Sequence, residues 1–81
     1  MKKVGVAILG LGVVGGGTYH ILTEHREFYQ RTQGVDIVVE SVLELNRERA
    51  HALGVPDEKI ASNIAEIVSN PDVNIVVEVI G

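Results

Sequence analysis

The sequence predicts an α/β domain in which a parallel sheet carries helices on both faces. Short runs rich in β-branched residues alternate with segments of helical periodicity, and glycine or proline stands at most of the borders. The first run, residues 4–9, is apolar throughout, as in a strand covered on both faces. Because strands that alternate with helices pair in parallel through right-handed crossovers, we expect the order β-α-β-α-(β)-α-β, in a compact minimal fold or a piece of a larger one.

The first part of the chain predicts one strand and one long helix. Residues 4–9 form the strand, and the glycines after Leu9 end it. From Val14 to about Gln33 apolar positions recur at helical spacing, so we expect a single helix with one apolar stripe against the sheet. Gly34 is the expected C-terminal stop. The stripe consists of Val14, Thr18, Ile21, Leu22, His25, Phe28 and Tyr29.

The middle of the chain predicts a second strand followed by a short helix. Residues 36–44 have strand composition, with isoleucine and valine leading. Asn46 is a favourable N-cap for a helix over residues 47–53. Gly54, with Pro56 two residues later, ends that helix.

The last part predicts a further helix and the strand that closes the unit. Residues 59–61 form a very short strand, and the spacing within residues 63–66 is that of a capping box, which opens a helix. That helix must end before Pro71. Residues 73–80 are dense in β-branched residues and form the last strand, with a loop beginning at Gly81.

Composition excludes several classes of function. The chain has seven basic and eleven acidic residues and a net charge of −4. This charge balance does not favour binding to the phosphate backbone of a nucleic acid. The absence of cysteine excludes disulfides, thiol nucleophiles and cysteine-bound zinc. No apolar stretch reaches the ~20 residues that span a membrane, and glycines interrupt the apolar N-terminal run, unlike a secretory signal. We therefore expect a cytoplasmic protein, and His20 and His25, five apart, predict no metal site.

A glycine motif follows the first strand and opens the first helix. Gly10, Gly12 and Gly15 form G-x-G-x-x-G, in which the first permits a tight turn, the second lets a pyrophosphate approach the backbone and the third lets helix and strand pack closely. The helix N-terminus then supplies N–H donors to the phosphates. Gly16 and Gly17 extend the run, either for close approach of a cofactor or strand or for tight helix packing.

The end of the second strand holds two rival contacts for the adenosine ribose. Glu44 is an acid of the kind that binds the ribose hydroxyls of NAD. Asn46, with Arg47 and Arg49 beside it, offers instead the polar and basic groups that accept the 2′-phosphate of NADP. The sequence leaves both cofactors open.

Three segments in the same order resemble one family. VGVAILGLGVVGGG, NRERAHALGVP and NPDVNIVVEVIG are similar to the start of the nucleotide-binding domain of homoserine dehydrogenase. The resemblance implies a Rossmann-type domain of an NAD(P)-dependent oxidoreductase. It also implies hydride transfer that interconverts L-homoserine and L-aspartate 4-semialdehyde, on the route to threonine and methionine.

The resemblance also implies where the cofactor binds. Two positions depart from the family's common pattern: Val13 stands where threonine is common, and Leu45 where arginine is frequent. The second departure removes a natural partner for a 2′-phosphate. The implied cofactor-binding residues are Gly10, Leu11, Gly12, Val13, Val14 and Gly15, with Glu44 and Asn46 as rival contacts at the ribose.

The resemblance implies no catalytic residue within these 81 residues. In the family, the lysine and acids for proton transfer and substrate binding lie in a later domain, so we expect residues 1–81 to be the N-terminal part of a dinucleotide-binding domain. The alternatives are a stand-alone dinucleotide-binding or redox-sensing module, or the start of another Rossmann-type dehydrogenase. Residues 73–80 should lie beside the first strand of this incomplete sheet with a free outer edge, and we expect a homo-oligomer that forms through this edge or through the missing domain.

Overall fold

The computed structural model describes residues 1–80 and contains an open sheet of three parallel strands with helices on both faces. The predicted fold class is confirmed, and the strand order is β2-β1-β3. The loop predicted to begin at Gly81 lies outside the described residues. The elements are β1 (Lys2–Leu9), α1 (Val13–Glu24), α2 (Arg26–Gln33), β2 (Val35–Leu43), α3 (Arg47–Ala52), a 3₁₀ turn (Asp57–Lys59), α4 (Ile64–Val68) and β3 (Ile75–Glu78).

The central strand β1 supplies side chains to two apolar cores. Ile8 packs on one face of the sheet in a cluster that includes Tyr19 of α1. Ala7 and Leu9 pack on the other face with Ile67 of α4. Successive side chains of a strand point to opposite faces, so a strand covered on both sides must be apolar at every position. This is why residues 4–9 lack the alternation of a half-exposed strand.

A bulge in β2 brings the carboxyl ends of β1 and β2, the two longest strands, side by side. Val6 pairs with Val39 and Ala7 with Ser41, so Glu40 is the extra residue. After the bulge, Leu9 pairs with Leu43. The carboxyl ends of β1 and β2 therefore lie side by side, which positions the loops that follow them.

The single long helix predicted over residues 14–33 is wrong. Helix α1 ends at Glu24 and α2 begins at Arg26, with His25 between them at φ −102° and ψ 16°. Tertiary contacts override the periodicity here, because Arg26 donates to Asp36 at 2.6 Å and Gln30 to the same carboxylate at 3.0 Å. These bonds fasten α2 to the start of β2.

The predicted apolar stripe is wrong as a packing surface at most of its positions, although Leu22 packs against the core. Val14 and Ile21 are 64% and 49% exposed, whereas the buried residues of α1 are Gly15, Gly16 and Tyr19. A helix that packs through glycines approaches the sheet more closely than one that packs through branched side chains. The glycine run therefore sets the rotation of α1, and the apolar periodicity does not.

Several predicted boundaries shift by a few residues. Strand β1 begins two residues before the predicted start, β2 is displaced by one residue toward the N-terminus, and β3 covers only the middle of residues 73–80. The very short strand predicted at residues 59–61 is reduced to a single bridge between Ile60 and Val42 after the 3₁₀ turn. Helix α4 ends at Val68, before Pro71, as predicted.

The predicted caps are confirmed. Asn46 Oδ1 accepts from Arg49 N at 3.2 Å, and Asn63 Oδ1 accepts from Glu66 N at 3.1 Å. Gly34 and Gly54 follow their helices with φ of 66° and 81°, where L side chains are strained. The capping box is completed differently from its usual form, because the Glu66 carboxylate accepts from the N–H of Ser62. The usual donor would be the cap residue itself.

The last strand lies where the sequence predicts it. β3 pairs with β1 from Val6↔Ile75 to Leu9↔Glu78, and within residues 1–80 no strand pairs with its other edge. The side chain of Asn74 accepts from Gly5 N, and its own N–H donates to Gly5 O, both at 2.8 Å. This reciprocal pair fixes the start of β3 against β1.

The hydrogen bonds from Arg26 and Gln30 to Asp36, which hold α2 against β2, are tested by the variant Asp36→Asn. Hydrogen bonds from Arg26 and then Gln30 hold the pKa of Asp36 at about 2, below the ordinary 3.8. A carboxylate with a lowered pKa stabilises the fold above its unfolded-state pKa, and that stability is lost as the pH falls through the folded-state pKa. We expect the wild-type chain to have the higher urea midpoint at about pH 6, and the difference to fade between about pH 4 and about pH 2. A difference that is independent of pH would contradict this ion pair.

The contact of α1 with the loop after β1 is tested by Gly15→Ala. A Cβ at this position would lie 1.7 Å from Gly10 O, so the backbone must shift. Forced overpacking costs about 1–3 kcal/mol or more, and we expect a loss of at least about 2 kcal/mol in the free energy of unfolding, measured with urea.

Gly17→Ala is the matched control on the same helix. A Cβ at Gly17 would meet no atom within 4 Å. Glycine inside a helix costs about 1 kcal/mol relative to alanine, so this variant should be more stable by up to that amount. Equal losses in the two variants would show that helix conformation, and not the contact with Gly10, explains the first result.

Candidate cofactor site

A cleft of about 270 Å³ opens where β1 and β2 end. In open parallel sheets, ligands bind outside the carboxyl ends of the strands, and this cleft occupies that position. Its walls come from the loop after β1, the end of β2, helix α3 and the residues after β3. The lining residues are Gly10, Gly12, Leu43, Glu44, Leu45, Arg49, Val79 and Ile80.

The three motif glycines have three different surroundings. Gly10 has φ +93°, a conformation in which L side chains are strained, and its N–H donates to Leu43 O at 2.9 Å. Gly15 meets the carbonyl of Gly10 so closely that no Cβ fits. A Cβ at Gly12 would meet nothing within 4 Å, so space remains open above the loop. Gly10 thus forms the tight turn, Gly15 makes the close packing contact and Gly12 leaves the approach open, which is the division of roles that the motif predicts.

The N-terminus of α1 points free donors toward this open space. The first helical hydrogen bond is Gly16 N to Gly12 O, 2.7 Å, and Gly12 provides no side-chain cap. The N–H groups of the first turn have no partner within the helix, and their aligned dipoles attract anions. No acidic side chain lies in that first turn. The side chain of Val13 is 95% exposed, so it does not cover these donors.

The carboxylate of Glu44 joins the loop after β1 to the end of β2. Its Oε1 accepts from Leu11 N at 2.7 Å and its Oε2 from Asn46 N at 2.9 Å. Arg49 Nη1 lies 3.7 Å from Oε1. The N–H donations of Asn46 and Leu11, with the charge of Arg49, hold the pKa of Glu44 below its ordinary value. The group is therefore ionised at neutral pH.

The two rival contacts at the ribose occupy different positions. Glu44 lines the cleft, while the side-chain amide of Asn46 caps α3 and is not among the lining residues. Leu45 lies at the mouth and is 93% exposed. Leu11, also predicted to contact the cofactor, has a side chain that is only 2% exposed, and its N–H already donates to Glu44.

Gly16 and Gly17, the two glycines that follow the motif, have different surroundings. A Cβ at Gly16 would lie 3.3 Å from Leu11 O and 3.4 Å from Leu53 Cδ1, so packing accounts for this glycine. Packing does not account for Gly17, around which there is open space.

Sequence reasoning named Arg49 as a basic neighbour of Asn46 that could accept a 2′-phosphate, but it missed the wall formed by Val79 and Ile80. The wall follows from topology, because β3 pairs beside β1 and its end therefore reaches the same edge of the sheet. The position of Arg49 at the cleft can be predicted from the N-cap, because a residue three positions after Asn46 lies in the first turn of α3, next to the end of β2.

Residues 1–80 contain neither a metal-binding cluster nor a membrane-spanning helix. No group of three or more histidine, cysteine or acidic side chains is placed to hold a metal ion in that range. None of the helices described there is long and apolar enough to cross a membrane.

The comparisons with known proteins agree with this geometry. Residues 10–81 match the family model described as "Homoserine dehydrogenase, NAD binding domain". The homoserine dehydrogenase of Methylobacillus glycogenes is 40% identical over 81 residues, and that of Bacillus subtilis is 32% identical over 81 residues. These alignments cover 100% of this chain and 20% and 19% of the two relatives.

Solved structures give the same result. The crystal structure of S. aureus homoserine dehydrogenase at pH 7.5 matches with a TM-score of 0.87 and 34% identity, covering 100% of this chain and 20% of that one. The homoserine dehydrogenase of Thiobacillus denitrificans matches with a TM-score of 0.76 and 39% identity, covering 96% and 18%.

The chain thus spans about one fifth of the length of these relatives. The matched region is their NAD-binding domain, whose cofactor class is a nicotinamide dinucleotide. From the family model and the full-length matches to this chain, we conclude that it belongs to the homoserine dehydrogenase family.

Proposed function

We propose that this chain is the N-terminal part of the dinucleotide-binding domain of an oxidoreductase that interconverts L-homoserine and L-aspartate 4-semialdehyde. The observation that carries the proposal is the glycine loop, whose open side faces the free N-terminus of α1 above a cleft at the carboxyl ends of the strands. The dinucleotide supplies hydride transfer, and the residues of this chain bind and orient it.

The phosphates of the dinucleotide would lie over the loop. The N–H groups of Val13, Val14 and Gly15 belong to the first turn of α1 and have no partner within the helix. Gly12 leaves the approach to them open. In this arrangement Gly10 shapes the turn, and Leu11 acts through the bond from its N–H to Glu44.

The adenosine end of the dinucleotide would occupy the cleft. A volume of about 270 Å³ is at the low end for a small-molecule site, and it suits one half of a dinucleotide better than the whole. Glu44 and the apolar Leu43 and Ile80 line it.

Two features of the cleft favour NAD over NADP. Glu44 places a buried negative charge where a 2′-phosphate would arrive, and like charges repel strongly when they are partly desolvated. Leu45 offers no positive charge at the mouth. Arg49 supplies a positive charge, but its guanidinium lies beside the Glu44 carboxylate and is partly neutralised by it.

The groups that bind the amino-acid substrate and move its proton would lie in the remaining length of the enzyme. The relatives are about five times as long as this chain, and we assign no catalytic residue to residues 1–80.

Calorimetric titration of the purified, folded chain with NADH and NADPH tests cofactor binding and preference together. We expect NADH to bind more tightly than NADPH. Leu45→Arg should tighten NADPH binding by roughly tenfold, because a guanidinium forms charge-assisted hydrogen bonds with a phosphate. NADH binding should change little.

Leu45→Gln is the control, since it removes the apolar side chain without adding charge. If both variants improve NADPH binding equally, charge is not the cause. Tighter binding of NADPH than of NADH by the wild-type chain would contradict the preference for NAD. Failure of the folded chain to bind either dinucleotide would contradict the proposal for this chain.

We also propose that the 81-residue chain self-associates through β3. Ile75 and Val76 are 50% and 48% exposed on a strand whose outer edge is unpaired within residues 1–80. An apolar edge strand with free N–H and C=O groups is a template for pairing with a second chain.

Sedimentation equilibrium tests this association. Ile75→Lys should shift the chain toward a monomer mass, because a charged side chain on an edge strand opposes pairing. Phe28→Lys is the matched control: Phe28 is 48% exposed but lies on α2, next to the opposite edge of the sheet. A wild-type mass equal to one chain at all concentrations would contradict self-association.

A further inference from the structure

The carboxylate of Glu44 ties the loop after β1, which lies 33 residues earlier in the chain, to the end of β2 and the start of α3. One oxygen accepts from the N–H of Leu11, 33 residues earlier, in the loop after β1. The other accepts from the N–H of Asn46, immediately before α3. Glu44 itself follows the end of β2. A single side chain thus links the loop, the end of β2 and the start of α3.

Few other hydrogen bonds restrain the loop, although the side chain of Leu11 is buried in the core. Gly10 N donates to Leu43 O at 2.9 Å, which holds the start of the loop, and Gly16 N donates to Gly12 O at 2.7 Å, which closes the first turn of α1. Between these two bonds, the bond from Leu11 N to Glu44 at 2.7 Å restrains the turn. A bond from a backbone N–H to an ionised carboxylate is about twice as strong as a neutral one.

The surroundings keep this carboxylate charged and in place. Arg49 of α3 is the charged side chain that acts on it, at 3.7 Å, and its charge favours the ionised form. The other walls, from the ends of β2 and β3, are the apolar residues Leu43, Val79 and Ile80. The Glu44 side chain is only 9% exposed, and its two oxygens are occupied by the N–H groups of Leu11 and Asn46.

From this geometry we infer that Glu44 is a positioning residue, which holds the loop Gly10–Gly12 in its binding shape before any dinucleotide arrives. This role is additional to the charge that Glu44 presents to the ribose in the proposed function. A preformed loop lowers the ordering cost of binding, because the donors of α1 need no rearrangement when the phosphates dock.

Amide hydrogen exchange in the ligand-free chain tests the inference without relying on the proposed function. Glu44→Gln keeps the size of the side chain but provides only one carbonyl oxygen for two N–H donors. We expect Glu44→Gln to speed exchange at the amides of Gly10 and Gly16 by roughly tenfold, the equivalent of losing one charge-assisted bond from the loop. Neither amide bonds to Glu44, so both report the position of the loop.

Glu66→Gln is the matched control. The Glu66 carboxylate also accepts from a backbone N–H, that of Ser62 at 2.8 Å, but it lies on α4, away from the cleft. Exchange at Gly10 and Gly16 should be unchanged in this variant. If Glu44→Gln also leaves both amides unchanged, Glu44 does not position the loop and the inference is overturned.

A pH titration of the wild-type chain provides a second test that needs no variant. The amide protons of Leu11 and Asn46 should shift together in the NMR spectrum, with one midpoint below the ordinary pKa of glutamate, as the carboxylate becomes protonated. Independent shifts, or none, would overturn the inference. If the wild-type chain binds no dinucleotide yet passes both tests, the proposed function fails and the positioning role stands.

Discussion

The close contact of Gly15 with the carbonyl of Gly10 is the constraint on which the rest of the structure depends. With no room for a Cβ, helix α1 sits as near to the end of β1 as two backbones allow. Because of that proximity, α1 is rotated so that Gly16 and Tyr19 face the core and Val13 faces outward. It also aims the first turn of the helix at the space above Gly12. One backbone contact therefore fixes both the packing of α1 and the direction of its free donors.

The site also depends on the register of β2. The bulge at Glu40 brings Leu43 level with Leu9, and only then can the Gly10 N–H reach the carbonyl of Leu43. The same register places Glu44, one residue further, within reach of the Leu11 N–H. Without the bulge, the alternation of β2 would shift by one residue and the Glu44 side chain would point to the other face. A feature in the middle of the sheet thus determines the geometry of the cleft at its end.

The features that the sequence predicts well are those determined by local chemistry. Asn46 and Asn63 cap their helices because a side-chain amide can reach an N–H three residues away, whatever the fold. The break at His25 and the burial of Tyr19, by contrast, depend on Asp36 and on the sheet, which are distant along the chain. Glu44 lies between these cases, because its position after a strand predicts the cleft while its bond to Leu11 requires the register of two strands. Non-local contacts account for each of these differences.

The two edges of the sheet differ in a way that bears on the cleft at the ends of β1 and β2. The outer edge of β2 is occupied, because Lys59 Nζ donates to Val39 O at 2.9 Å and Ala61 N to Val42 O at 2.8 Å. The outer edge of β3 is unpaired within the described residues, and Val79 and Ile80, which follow it, form one wall of the cleft. The free edge of the sheet and this wall of the cleft thus belong to one continuous segment, residues 75–80, whereas the opposite edge is held by the residues after α3.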